Sequence, residues 1–288
     1  MPGLRRPKLL PNFYSLPAWV SLKMNKLTIK LIIWHMAVLI LALMFWGYGS
    51  RVSSDVFYGN RFDGVAVLYF VLLLTAVVMG IALFKKKIWA LTLSGIVGII
   101  YLFQFGFTEL NLLGAGIFLL LGLHSLSNSK SEINQRLKIN TKRIFQSGAW
   151  PLITGLFILI SFAVYQSPFS EELEKSERLP SASQNFIRSV VEQTIGNQIQ
   201  TNNEREKQNI INQIANETFG EFNVFLKPYF KYAPPILAFG LFLILWGLSW
   251  IFIWLSVLFG ILIFWILKKT NFVKIEKKQV EAEALVIE

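Results

Sequence analysis

Cysteine is absent from the 288 residues, and histidine occurs only twice. The first absence excludes disulfides, thiolate nucleophiles and cysteine-ligated metal or iron–sulfur centres, and the second removes the common zinc sites, which need paired histidines at ligand spacing. Charge is scarce as well: Asp, Glu, Lys and Arg make up 16% of the chain against 54% hydrophobic residues. An ordinary soluble domain carries about 25% charged residues. What the chain has instead is long uncharged runs. Stretches 31–47, 65–84, 88–107, 110–124, 149–165 and 235–267 contain no Asp, Glu, Lys or Arg. Most reach the ~17–25 residues with which a helix crosses the hydrocarbon core of a bilayer.

These runs predict an all-α fold: a polytopic integral membrane helical bundle of six transmembrane helices with a small helical extracytoplasmic cap. The chain divides into a basic cytoplasmic segment (1–30), a five-helix transmembrane region (31–165) with a cytoplasmic amphipathic loop at 125–148, an extracytoplasmic helical cap (166–234), a long sixth transmembrane helix (235–267) and a cytoplasmic tail (268–288). Orientation follows from charge. Segments between the runs alternate between rich and poor in Lys and Arg, and 19 of the 28 basic residues fall in the alternating set that includes both ends. The positive-inside rule therefore places both termini in the cytoplasm of a plasma (cell inner) membrane. The net charge of +11 is accounted for by topology rather than by a nucleic-acid partner. The first thirty residues read as an uncleaved signal anchor, because the basic region is long for a leader and no small-x-small cleavage site follows Trp46.

The run 235–267 is too long for one crossing. As a straight helix its 33 residues span ~50 Å against ~30 Å of hydrocarbon. With Lys268 and Lys269 at the cytoplasmic interface, Ile236 to Trp246 is expected to stand above the outer leaflet. A single or gently kinked helix is favoured over a hairpin at 247–249, whose arms would be too short to cross.

The cap region has the composition of a soluble helical module. Ser170 is a candidate N-cap for a short helix, with Glu171 and Glu172 in its first turn and Pro180 as its stop. Phe186, Val190, Val191, Ile195 and Ile199 form one helical stripe, and Ile210, Ile211, Ile214 and Phe219 another. The two helices are expected to pair as a hairpin with the upper part of the last span as a third wall. Phe222, Phe225 and Tyr229 follow at helical spacing, a membrane-interface or partner-binding face interrupted by Pro228. Ile133, Leu137 and Ile144, interleaved with Arg136, Lys138, Lys142 and Arg143, give a basic amphipathic stretch on the cytoplasmic side.

Chemistry is nearly silent. The sequence contains no G-x-S-x-G, no H-E-x-x-H and no nucleotide-binding glycine loop, so no catalytic, metal-binding or cofactor-binding residue is assigned and no cofactor is implied. His35, Gln104 and Asn111, with Thr75 and Thr154, are the polar residues from which a path for a neutral solute could be built. Small-x-x-x-small pairs are plentiful: Ala76 with Gly80, Ser94 with Gly98, and Ser256 with Gly260 are helix-packing candidates. Trp246, Trp250 and Trp254 recur on one face of the last span. The first two suit the outer aromatic belt, and the third, deeper, is expected to face protein or a partner helix.

The reading these features favour is a non-enzymatic multi-pass membrane component. It is a scaffold or assembly protein whose cap (166–234) engages another membrane or envelope protein, with the lipid bilayer as its other partner. A permease or channel for a neutral small solute is the second reading, and an intramembrane or lipid-modifying enzyme the third. A carrier requires a polar cavity at mid-membrane, whereas a scaffold requires a solidly packed bundle and an exposed apolar patch on the cap.

Overall fold

The structure is a computed structural model and describes residues 26–58, 64–135, 139–176, 179, 181–195 and 203–273. The expectations for 1–25, Arg136, Leu137, Lys138, Pro180, Ile199 and the tail beyond 273 lie outside the described residues. Among the described residues all regular structure is helical. In chain order the elements are α1 (Lys26–Tyr58), α2 (Gly64–Phe84), α3 (Lys87–Phe105), α4 (Glu109–Asn134), α5 (Thr141–Tyr165), α6 (Pro168–Ser176), α7 (Ser181–Ile195) and α8 (Glu204–Leu226). A 3-10 turn (Lys227–Tyr232), α9 (Ala233–Gly247) and α10 (Ser249–Lys269) complete the chain. The protein is an all-α, multi-pass helical membrane bundle with a small helical cap.

Among the described residues seven helical stretches are long and apolar enough to cross a membrane, the last two being Glu204–Gly247 and Ser249–Lys269. These two abut at Leu248. The Leu248 N–H still donates to Ile244 O at 3.0 Å, and the Ile251 N–H reaches Leu248 O at 3.0 Å in a tightened turn. The chain bends there without folding back. Phe145 of α5 lies against Gly260 and Phe264 of α10, while Ile158 and Tyr165 share a groove with Pro235 and Phe242 of α9. Thus α9 and α10 run in succession along α5, and the bundle has six passes from one end to the other.

The upper part of the last pass, expected to stand above the outer leaflet, packs on α6 and the 3-10 turn as well as on α5. Pro235 and Tyr165, the last residue of α5, line the same groove. The stretch from 235 to 264 amounts to about 45 Å of helix, against about 30 Å for α5 from 145 to 165.

One correction concerns 125–148, read from sequence as an amphipathic loop. Helices α4 and α5 continue through most of it, leaving only residues 135–140 between them. Ser125, Ser129, Ile144, Phe145 and Gly148 are buried between helices. Here the basic residues masked a helical extension whose apolar side is narrow and partly built from Ser and Gly.

At the centre stands α2, apolar all round and packed against α1, α3, α4, α5 and α10. Leu73, Leu74, Val77 and Met79 are fully buried, together with Leu93 and Tyr101 of α3 and Leu152, Ile153 and Phe157 of α5. The Phe70 ring stacks on Phe157 with centroids 5.6 Å apart and meets Phe252 edge-on at 5.0 Å, joining α2, α5 and α10. Lipid gives no hydrophobic drive for helix association, so the bundle depends on this close packing and on hydrogen bonds.

One end of the bundle gathers positive charge. Lys30 Nζ donates to Phe272 O at 2.6 Å, bringing the start of α1 beside the segment after α10. The α2–α3 turn at Lys85 and the α4–α5 connection at Ile139 meet Val273 at the same end. The opposite end carries α6, α7 and α8.

Candidate functional site

At the cap-bearing end a polar knot ties three helices together. The α3–α4 turn needs Gly106, whose φ of 93° is open to glycine and costly for other residues. Thr108 then caps α4, its Oγ1 accepting from the Asn111 N–H at 3.3 Å. The Asn111 side chain is completely buried. Its Oδ1 accepts from Tyr101 OH at 2.5 Å and from Gln166 Nε2 at 3.2 Å. Its Nδ2 donates to Phe105 O at 3.1 Å and Gly106 O at 3.0 Å, and lies 3.3 Å from Gln166 Oε1. Gln166 Oε1 also accepts from Thr108 Oγ1 at 2.8 Å. Every polar atom of Asn111 is thereby used within the fold.

The other residues considered for a polar path sit elsewhere. His35 Nδ1 is 2.8 Å from Leu31 O, Nε2 is 2.8 Å from Thr92 Oγ1, and the ring meets Trp89 edge-on. These contacts lie near the basic end, away from Asn111. Gln104 borders a cavity of about 460 Å³ at the cap end, beside Trp46, Phe105 and Gln166. Thr75 Oγ1 donates to Val71 O at 2.7 Å and pairs with Ser256 Oγ at 3.0 Å, and Thr154 donates to Trp150 O. The structure does not bring His35, Gln104 and Asn111 together.

The small residues singled out in the sequence lie between helices. A side chain at Gly80 would come within 2.5 Å of Trp34 Nε1 and 2.7 Å of Leu93 Cδ1, while Trp34 Nε1 donates to Ala76 O at 3.0 Å. Ser94 sits against Gly122, Gly98 against Ala115 and Gly260 against the Phe145 ring. Sequence reading missed the glycines that bring α4 and α5 together. A Cβ at Gly114 would meet Phe162 at 2.8 Å, one at Gly148 would meet Ser129 Oγ at 2.6 Å, and one at Gly155 would meet Phe118 at 2.6 Å. Gly148 and Gly155 are seven residues apart, a two-turn spacing that a search confined to small-x-x-x-small passes over. Also in α5, Pro151 removes one N–H from the helix, and α4 answers: Ser125 Oγ donates to Gly148 O at 2.7 Å, and Asn128 Nδ2 approaches Ser147 O at 3.5 Å.

The tryptophan face points away from the bundle. Trp246, Trp250 and Trp254 are all exposed; Trp254, at 61%, does not pack on this chain, which leaves the partner helix of the two surroundings expected for it. The buried side of α10 is formed by Ile253, Ser256, Val257 and Gly260. A tryptophan every fourth residue, one position off that side, falls on the outer face.

In the cap, Pro168 opens α6 and Ser167, not Ser170, is its capping residue, with Ser167 Oγ 3.3 Å from the Ser170 N–H. Ser170 is buried instead, donating to Val164 O at 2.6 Å. Helices α7 and α8 pair antiparallel, as Gln184 with Asn216 and Arg188 with Gln208 show, and Ile211 and Ala215 are buried between them. The expected third wall is not there. Among the described residues α9 packs on α6 and the 3-10 turn rather than on the α7–α8 pair. Phe186 stays 69% exposed, and Val190, Phe222, Phe225 and Tyr229 are exposed as well. The stripe at 222–229 is broken at Pro228, where α8 gives way to the 3-10 turn and Phe230 turns inward.

A cavity of about 1000 Å³ forms a groove over α5 between α4 and α9. Its walls are apolar, and its polar residues other than Ser161, namely Thr108, Glu109 and Tyr165, collect at the cap end. No group of three or more metal-ligating side chains occurs among the described residues. No known family model, curated protein or solved structure matches the chain.

Proposed function

We propose that this protein is a non-enzymatic plasma-membrane component, with both termini cytoplasmic, that holds a partner protein through the α7–α8 hairpin on the extracytoplasmic side. The observation that carries this reading is a contrast in packing. Away from the groove over α5 the bundle interior is filled with large apolar side chains, and Trp34, Thr75, Asn111 and Ser125 serve helix–helix contacts, which suits a support rather than a conduit. The hairpin, by comparison, leaves Phe186 and Val190 exposed and unsupported by the bundle. An apolar face of this kind on a small module is what a protein interface uses. The charge gathered at the opposite end supports the orientation.

The test is site-specific photocrosslinking in native cells. A photoreactive residue at position 186 or 190 should give a discrete adduct with a second polypeptide, and one at Leu120, on the outer face of α4, should not. Phe186→Asp should abolish the adduct formed from position 190 while leaving the thermal unfolding of the purified protein unchanged. Absence of any adduct from both hairpin positions would overturn the proposal.

A further inference from the structure

The groove over α5 is independent of the hairpin and carries its own reading. Its volume of about 1000 Å³ stands at the upper end of small-molecule sites, roughly 300–1,000 Å³. Two features point to an amphiphile lying along the bundle axis. Polarity is confined to the cap end, where Thr108, Glu109 and Tyr165 form the mouth, while Leu113, Ile117 and Phe242 continue below as hydrocarbon wall. In addition, Ser161 is only 4% exposed, belongs to the groove wall, and its Oγ has no hydrogen-bond partner. A buried hydroxyl without a partner is costly, and an acceptor supplied by an occupant removes that cost. Ser161 lies one turn, ~6 Å, below Tyr165 along α5, at the depth where an ester carbonyl would follow a headgroup held at the mouth.

Charge selects the headgroup. Glu109 is the one charged residue among those lining the groove, and no Lys or Arg accompanies it. An amine-bearing headgroup is matched there and an anionic one is repelled. A partner helix fits less well. Helices approach in lipid through small residues, whereas this groove is edged by Leu113, Phe162, Phe239 and Phe242, and on α4 it extends only from 109 to 117, ~12 Å. We propose that the groove between α4, α5 and α9 is a binding site for an amine-headgroup phospholipid, with one acyl chain along α5, an ester carbonyl at Ser161 and the amine at Glu109.

The full chain, reconstituted in vesicles of equal parts phosphatidylethanolamine and phosphatidylglycerol with a trace of either lipid bearing a diazirine in its chain, tests this directly. Adducts of the phosphatidylethanolamine probe should concentrate on 109–117, 158–165 and 235–242 over the outer face of α10, and should exceed those of the phosphatidylglycerol probe. Leu113→Trp, filling the groove from an exposed wall, should reduce these adducts several-fold with α10 labelling unchanged, which also reports an intact fold. Glu109→Lys, at an exposed position, should shift the headgroup preference toward phosphatidylglycerol by about five-fold. Equal labelling of the groove and the α10 face would reduce the lipid to solvent and overturn the site. An unaltered preference in Glu109→Lys would overturn the headgroup assignment. A polypeptide adduct from a photoreactive residue at position 113 would replace the lipid by a helix.

Discussion

At the scale of single residues, the bundle's hydrogen-bonding side chains act as ties. Asn111 binds the end of α3, the start of α4 and the residue after α5 at once, and each of its atoms is used. Replacing it by leucine strands the Tyr101 hydroxyl and loosens Gln166. Asn111→Leu is expected to destabilise the protein by about 1–3 kcal/mol, seen as a lower thermal unfolding midpoint in detergent. Tyr101→Phe should cost less, and in the double variant the two losses should not add, since both remove the same hydrogen bond. Asn111 was legible in the sequence only as a polar residue near a span end. Its role depends on Gly106 reversing the chain and on Gln166 arriving from 55 residues away, a meeting that periodicity does not encode. Trp254 shows the same limit from the other side: its spacing was plain, but which face α10 buries is decided by Ser256 and Gly260 against α2 and α5.

Among the elements, the pairing of α7 with α8 was legible because apolar residues at helical spacing need one another, whereas its docking was not. The upper part of the last span packs instead on α6, a nine-residue helix that the sequence announced through Glu171 and Glu172 in its first turn. The hairpin consequently depends on few residues, with Ile211 and Ala215 at its centre. Ile211→Ala should cost about 2–5 kcal/mol, the range for truncating a buried aliphatic side chain, and the loss should be local. Hydrogen exchange is expected to accelerate across 181–195 and 204–226 while α2 and α5 keep their protection, because the bundle does not rest on the hairpin. Loss of protection in α5 would show the two to be one cooperative unit. The bend at Leu248 belongs to this scale too. An overlong apolar run announced that something must give, and the chain bends within 247–249, which the sequence offered only as the site of a disfavoured hairpin. The consequence, a groove where α9 leaves α4, required the neighbouring helices.

For the whole molecule, the asymmetry of charge is the feature that joins sequence to arrangement. Lys30, Lys85, Lys86, Lys142, Lys268 and Lys269 come from α1, the α2–α3 turn, α5 and α10, yet the fold gathers them at the end where α1 begins and α10 finishes. That clustering would have no reason to arise if lipid were not the surrounding solvent, since a water-soluble bundle gains nothing from segregating Lys from one end to the other. The bilayer sets the direction: basic segments resist translocation, so the lysine-rich end should stay inside and the hairpin should emerge outside. The absence of cysteine makes the chain well suited to a direct measurement. Ser131 at the basic end and Ser189 on α7 are both exposed, and Ser→Cys changes little at either. On intact cells a membrane-impermeant maleimide should label Ser189→Cys at once and Ser131→Cys only after permeabilisation. The opposite pattern would invert the bundle and place the proposed partner in the cytoplasm. Equal labelling of both before permeabilisation would mean that the two ends share a compartment, which six passes through a bilayer do not allow.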